Sequence, residues 1–366
     1  MGDKVKSSGD KKHGYLAQLD GMRAVAVLLV VAFHAVPNFA WLQGWRGVTI
    51  FFVLSGYLIT SLALTEEANH GRMSFRAFYI RRTFRIFPLY YLVLLLYCVL
   101  VLGFNLTPDK RAGMVKALPY YFTYLQEIGL YILGGSEKVP FGQSWSLGYE
   151  EKFYLLWPVI IFGFLAKRKD LRPYVAGAMI LVFALCGIVA LPKTAVGLFF
   201  PYYHILMGCL LALVKPQRST PRRVPLTYPA LLVVLLCQFA LYRVADSARA
   251  EVLNDMAYTL GVAVLLAGIL TEDTWVRSVL AWRPLVFIGK VSYGIYLIHV
   301  LCINASRMVV KNPYLVLTLS VVSSIAAAAV LYRTIESPLI AVGRRLSARI
   351  IDRRRDTSAS KQEIQA

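Results

Sequence analysis

Ten apolar runs, each about 17–22 residues long, limit this chain more than any other feature. They cover approximately 19–39, 46–65, 87–105, 146–166, 174–191, 197–214, 228–244, 255–271, 285–306 and 314–334. About twenty apolar residues in a helix match the hydrocarbon thickness of a bilayer. Within lipid every backbone N–H and C=O must be satisfied internally, which a helix does by itself. The runs therefore predict an all-α, polytopic integral membrane bundle of about ten transmembrane helices. Composition agrees: 58% of the 366 residues are hydrophobic and 16% are charged. The mean hydropathy of +0.58 excludes a disordered chain.

The net charge of +20 sits between the runs. Lys4, Lys6, Lys11 and Lys12 precede the first run, and Arg72, Arg76, Arg81, Arg82 and Arg85 separate the second from the third. Further clusters follow the fourth and sixth runs, precede the ninth and fill the C-terminal end. In a ten-helix chain all these segments lie on one side, so the positive-inside rule places both termini in the cytoplasm. No basic stripe is interleaved with aromatics, which argues against a nucleic-acid partner. The expected division is a polar cytoplasmic N-terminus at 1–18, a membrane domain at 19–340 and a basic, partly disordered cytoplasmic tail at 341–366. The apolar stretch near 113–133 reads as a re-entrant or interfacial helix, because Lys110, Arg111 and Lys116 weigh against a span. The polar N-terminal lead lacks a small-residue cleavage site, so the first helix is expected to remain as an anchor. Cys98, Cys186, Cys209, Cys237 and Cys302 lie in apolar segments without Cys-x-x-Cys spacing, and neither a disulfide framework nor a metal site is expected.

Ionisable residues inside the runs carry the functional signal. Arg23 and His34 are eleven residues apart, about 20° past three helical turns, so they share a face about 16 Å apart along the axis. Taken alone, the pair also suits an arginine reaching the headgroups and a histidine bonded to a neighbouring helix. Counting from the run ends, Glu150 and Glu151 lie one turn below the outer surface, and His34 and His299 fall at similar depth. This convergence predicts an outward-facing ionisable cavity. On the opposite side Arg81, Arg82 and Arg85, set among aromatics, have the geometry to clamp phosphates, although an anchor on anionic lipid fits the charge pattern equally.

Asp20-Gly-Met-Arg23 with His34, Gly47-Val-Thr-Ile-Phe-Phe-Val-Leu-Ser-Gly56, the arginines at 81–85, Gln143-Ser-Trp-Ser-Leu-Gly-Tyr-Glu-Glu-Lys-Phe-Tyr154, Ser292-Tyr-Gly-Ile-Tyr-Leu-Ile-His299 and Glu336-Ser-Pro338 form an ordered series. In that order they resemble the membrane-bound acyltransferase family 3, which includes O-antigen, exopolysaccharide and Nod-factor acyltransferases. The resemblance spans the whole set of runs. It implies transfer of an acyl group, usually acetyl from acetyl-CoA, to a hydroxyl of a carbohydrate-containing acceptor, at a bacterial inner or plasma membrane. The implied partners are acyl-CoA, the glycan acceptor and the bilayer. Gly148-Tyr149 depart from the small or branched residues common in the family, which bears on the acceptor pocket.

A sugar hydroxyl is a poor nucleophile and needs a base that titrates near neutrality. His34 is the expected base, either deprotonating the acceptor or carrying the acyl group, with Glu150 orienting it. Arg23, Arg81, Arg82 and Arg85 are expected to hold the CoA phosphates. His299, Glu151, Ser55 and Trp145 are candidates for acceptor contact; a packing role for Ser55 and a core role for His299 are equally open. Glu336 is expected to pair with an arginine. His204 has no partner in the sequence, and His13 and His70 read as loop residues. Succinyl transfer, or a lipid or antibiotic acceptor, would keep the mechanism. A proton-coupled exporter using His34, Glu150 and His299 is the reading from a different class.

Overall fold

The computed structural model describes residues 16–36, 41–135, 138–190, 197–214, 225–239 and 247–365, and its regular elements among them are all helices. Residues of the expected runs at 37–39, 191 and 240–244, together with His13, lie outside the described residues. The chain opens with α1 (Ala17–Ala35), α2 (Trp45–His70) and α3 (Phe75–Cys98), the last continued by a π turn over Val99–Gly103. Next come α4 (Arg111–Phe122) and α5 (Gln126–Leu133), two short helices in place of one interfacial segment. α6 (Trp145–Pro158) continues as a π turn over Val159–Phe164, where Pro158 lacks the N–H that would hold the α-ladder. α7 (Arg172–Ala190), α8 (Pro201–Val214), α9 (Thr227–Phe239) and α10 (Ala248–Thr271) follow. α11 (Trp275–Leu280), α12 (Arg283–Lys290) and α13 (Ser292–Val309) lead to α14 (Pro313–Leu331). A π turn over Tyr332–Glu336 then joins α14 to α15 (Ser337–Gln365).

Local chemistry accounts for the ends. Ser74, Ser247, Thr274 and Asn312 cap α3, α10, α11 and α14 by accepting from backbone N–H groups. Gly71 closes α2 in the left-handed region at φ +73°.

Each of the ten apolar runs is mostly helical where described, but among the described residues six helices are long and apolar enough to cross a membrane. A seventh is gained if α12 and α13, bent by 76°, count as one broken span. α8 and α9 are apolar but shorter, and α6 carries Glu150, Glu151 and Lys152 in succession. The structure thus gives six long apolar helices where the runs predict ten, and α6, α8 and α9 fall short of the same length and polarity. The tail also differs from expectation: α15 continues to Gln365, through Arg-rich sequence of good helix propensity.

Glycines bring the site-bearing helices together. A Cβ at Gly56 of α2 would overlap the Ile205 carbonyl of α8, and one at Gly208 of α8 would overlap the Val53 carbonyl of α2. Such backbone contact is how small residues pack bundles in lipid. Gly56→Leu should lower the stability of the detergent-solubilised protein by about 1–3 kcal/mol or more, read as a fall in its thermal midpoint. Gly177→Ala, where a Cβ meets open space, should leave it unchanged or slightly raised.

Candidate functional site

The cytoplasmic-type arginines and the first helix meet in one inner cavity. It has a volume of about 80 Å³ and is walled by Arg23 of α1, Ser55 of α2, Arg82 and Arg85 of α3, Glu150 and Tyr154 of α6, and Tyr293 and Tyr296 of α13. α1 is held there by mutual glycine contact: Gly21 lies against the Leu280 carbonyl and Gly289 against the Asp20 carbonyl. Arg23 stands 3.8 Å from Asp20, and its Nε is buried without a partner. Arg82 lies over the Tyr154 ring at 4.8 Å and the Phe78 ring at 5.7 Å, which leaves its N–H edge open. Arg85 makes no hydrogen bond or ion pair among the described residues.

Glu150 is the acceptor end of a short relay. Tyr154 donates to Glu150 at 3.0 Å, and Ser55 in turn bonds the Tyr154 oxygen. Arg23 and Arg82 act on Glu150 through space. Tyr293 donates to the Ile86 carbonyl at 2.8 Å, and the Tyr296 hydroxyl donates to the Gln143 carbonyl at 2.5 Å beside Ser146 Oγ at 2.7 Å. The hydroxyls of Ser55, Ser146, Tyr154, Tyr293 and Tyr296 on this wall are therefore oriented by protein. The principal open donors are guanidinium groups.

Arg82 and Arg85 also line a second, wider cavity of about 520 Å³ at the same end of the bundle, with Arg81, Arg344, Asn69 and His70. The two cavities therefore share an arginine wall. Arg81 is committed elsewhere: it forms a 2.5 Å ion pair with Glu66, which also accepts from the Ser74 N–H at the start of α3. Of the three arginines expected to act together, Arg82 and Arg85 have no carboxylate partner among the described residues, and Arg81 ties α3 to α2.

His34 lies in neither cavity. It stands at the opposite end of α1, exposed to a cleft of about 840 Å³ that it shares with Leu96, Leu100, Lys110, Gln143 and Arg307. Its Nδ1 lies 2.9 Å from the Val30 carbonyl. A carbonyl can only accept, so this nitrogen carries the proton and Nε2 is left as the basic lone pair. Arg307 donates to the His34 and Ala35 carbonyls at 2.9 and 3.3 Å, satisfying the end of α1. The ring partner of His34 is His299, 5.0 Å between centroids. His299 is fully buried, with Nδ1 2.7 Å from the Tyr296 carbonyl and Nε2 without a partner.

The expected convergence at one depth therefore divides. His34 and His299 meet at one level, whereas Glu150 lies with Arg23 and Arg82 at another, so Glu150 is not the group that orients His34. The reason is where α6 begins. Trp145, its first residue, packs against Phe52 at 6.2 Å, seven residues and about 10 Å into α2. The helix starts inside the bundle rather than at its surface. Trp145 and Glu151 stand off the inner wall; Glu151 has a buried Oε1 without a partner. Glu336, expected in an ion pair, is buried against Gly294, has no hydrogen bond at Oε1, and lies in the fields of Arg85 and Arg23. His204 does have partners: Asp255 Oδ2 at 3.2 Å and Thr259 Oγ1 at 2.7 Å.

Ser146, Tyr154, Tyr293, Tyr296 and Arg344 were not singled out from sequence. Ser146, Glu150 and Tyr154 recur every fourth residue, a polar stripe on one helix face that was legible in principle. Gly148 also finds its reason: a Cβ there would overlap Glu127, whose other carboxylate oxygen pairs with Lys152 at 2.5 Å.

Comparison with known proteins bears on this arrangement. The chain is 31% identical to YrhL of Bacillus subtilis, named as a candidate peptidoglycan O-acetyltransferase, over 92% of this chain and 57% of that protein. It is 30% identical to the peptidoglycan O-acetyltransferase OatA of Listeria monocytogenes, over 89% and 56%. Against a candidate O-acetyltransferase of Staphylococcus aureus the figures are 28%, 90% and 58%. The chain thus spans little more than half the length of these relatives. No solved structure matches it. A family model described as an acyltransferase domain matches residues 16–333, from the start of α1 to the end of α14, and so takes in the inner cavity, the histidine pair and all of the wide cavity's lining but Ile340, Arg344 and Ile351. The chain is a multi-pass membrane protein that belongs to this acyltransferase family.

Proposed function

We propose that this protein is a membrane O-acyltransferase that takes an acyl group, acetyl foremost, from cytoplasmic acyl-CoA to a hydroxyl of a carbohydrate-containing acceptor on the other side. One observation carries the reading: Arg82 and Arg85 line both the wide cavity at the basic end and the inner cavity that holds Glu150, Tyr154 and Ser55. Guanidinium donors that lack protein partners suit phosphate oxygens. The adenosine and phosphates of the donor occupy the wide cavity, with Arg344 as a further cation. The pantetheine arm then extends past Arg82 into the inner cavity. The positive-inside argument keeps both termini and this arginine wall cytoplasmic and leaves the His34 cleft outside. In that arrangement the shorter α6, α8 and α9 complete ten membrane passages.

At His34 the acceptor hydroxyl gives its proton to Nε2 as its oxygen attacks the thioester carbonyl. The new C–O bond forms the ester, the C–S bond breaks, and the CoA thiolate takes the proton back from the imidazolium. The Gln143–Tyr296–Ser146 contact joins the walls of the inner cavity and the cleft, since Gln143 faces the cleft and Tyr296 and Ser146 the cavity. The thioester reaches His34 by displacing the Tyr296 hydroxyl.

The test supplies membranes containing the protein with acetyl-CoA or succinyl-CoA and a glycan extract, and measures free CoA and glycan ester together. The names of the relatives make peptidoglycan the first glycan to offer. Matched CoA release and ester gain are expected, greater with acetyl-CoA. Solute movement across the membrane without thioester consumption, over a broad donor and acceptor panel, would replace this reading with an exporter.

A further inference from the structure

One wall of the wide cavity comes from outside the family match. Ile340, Arg344 and Ile351 line it from α15, beyond residue 333, where that match ends. At 100° per residue the three fall within about 40° of one another, so they share one face of the helix. α15 is held against the bundle by close packing on α3: a Cβ at Gly343 would come within 2.7 Å of the Phe84 Cβ. The helix that carries Arg344 is thus fixed directly to the helix that carries Arg82 and Arg85.

The cavity therefore presents cations in two places. Arg82 and Arg85 also line the inner cavity, so they mark the junction between the two spaces. Arg344 lines the wide cavity alone and reaches it from a different helix. Its carbonyl accepts from Ser347 at 2.9 Å, but its guanidinium makes no hydrogen bond or ion pair among the described residues. Arg81 is neutralised by Glu66. Phe78, Ile340 and Ile351 add apolar surface, and Thr65 and Asn69 add hydrogen-bonding groups. Such a wall suits a flat, partly apolar body that carries anionic groups at two separate points.

We infer that Arg344 binds the ribose 3′-phosphate of the acyl-CoA donor and makes the protein selective for CoA over its 3′-dephospho form. The inference rests on the acyl-CoA reading and assigns a second phosphate within it. With the pantetheine arm passing Arg82 into the inner cavity, the pyrophosphate that joins it to adenosine falls at the junction, beside Arg82 and Arg85. The 3′-phosphate lies further along the donor, where the cation without a protein partner is Arg344. A phosphate monoester offers three oxygens, which a guanidinium fork meets in a bidentate contact. α15 then forms part of the donor site, although the family match stops before it.

The experiment measures calorimetric affinity on the full chain in detergent, for acetyl-CoA and for acetyl-3′-dephospho-CoA. The wild type should bind acetyl-CoA about tenfold more tightly, the worth of one charge-assisted contact. Arg344→Ala should weaken acetyl-CoA by that factor, leave the dephospho form unchanged and keep the thermal midpoint. Arg349→Ala removes the same charge from α15 at an exposed position that does not line the cavity, and should keep the wild-type preference. An anionic lipid headgroup has the same recognition chemistry, so phosphatidylglycerol added to the micelles is a separate arm; it should leave the preference intact. Equal affinities in the wild type, equal losses for both donors in Arg344→Ala, a lost preference in Arg349→Ala, or a preference abolished by phosphatidylglycerol would each overturn the inference. Failure of the underlying reading looks different: neither donor binds the wild type and no CoA is released, and the inference falls with it.

Discussion

His34→Ala should lower acyl transfer by about 10²–10⁴-fold, the usual contribution of a positioned general base, while donor binding stays at the wild-type value. The separation follows from geometry. His34 faces the cleft, whereas the donor-binding arginines wall cavities at the opposite end of α1, about 16 Å away along the axis. Fold should survive the change, because the ring is exposed and its single hydrogen bond goes to a carbonyl one turn back in its own helix. Two measurements check this: glycan ester formed per enzyme under saturating donor, and acyl-CoA affinity by calorimetry on solubilised protein. Equal losses in both would place His34 in donor binding. His299→Ala should cost less than His34→Ala, since His299 supports the ring from within the core and its buried Nε2 meets no acceptor site.

Much of this arrangement is written locally and some of it is not. Hydropathy located the long apolar helices, though not α11, α15 or the first half of α3, and Arg23 and His34, predicted to share one helix, both lie on α1. Depth on α6 could not be read the same way. It was counted from Trp145 as though that residue lay at the membrane surface, but Trp145 meets Phe52 well inside α2. The helix entry point depends on how the preceding turn and α5 fold over the bundle, a matter of tertiary packing. The same limit hid the His34–His299 contact, made between residues 265 positions apart, while Glu150 seemed the natural orienting acid. Hydrogen-bond economy explains the other reassignment. Three arginines within five residues look equivalent in sequence, yet only Arg81 finds a carboxylate, because Glu66 is the residue that the Ser74 turn brings beneath it.

That reassignment yields the second large effect. The double variant Arg82→Ala/Arg85→Ala should weaken acyl-CoA binding by about 10²–10⁴-fold, since each charge-assisted contact to phosphate contributes about 1.5–3 kcal/mol. Arg81→Ala should act on the fold instead. It leaves Glu66, a buried carboxylate, with its backbone bond but without its counter-charge, and removing one member of such a pair is destabilising. The expected result is a lower thermal midpoint and less folded protein, with near-normal acyl-CoA affinity in the fraction that folds. Calorimetric affinity and thermal unfolding on the same preparations separate the two outcomes. If Arg81→Ala weakened donor binding as much as the double variant, with no change in thermal midpoint, the phosphates would be held in the wide cavity by the whole cluster. The donor's route into the inner cavity would then have to be argued from Arg23 alone, the one cation there that does not also face the wide cavity.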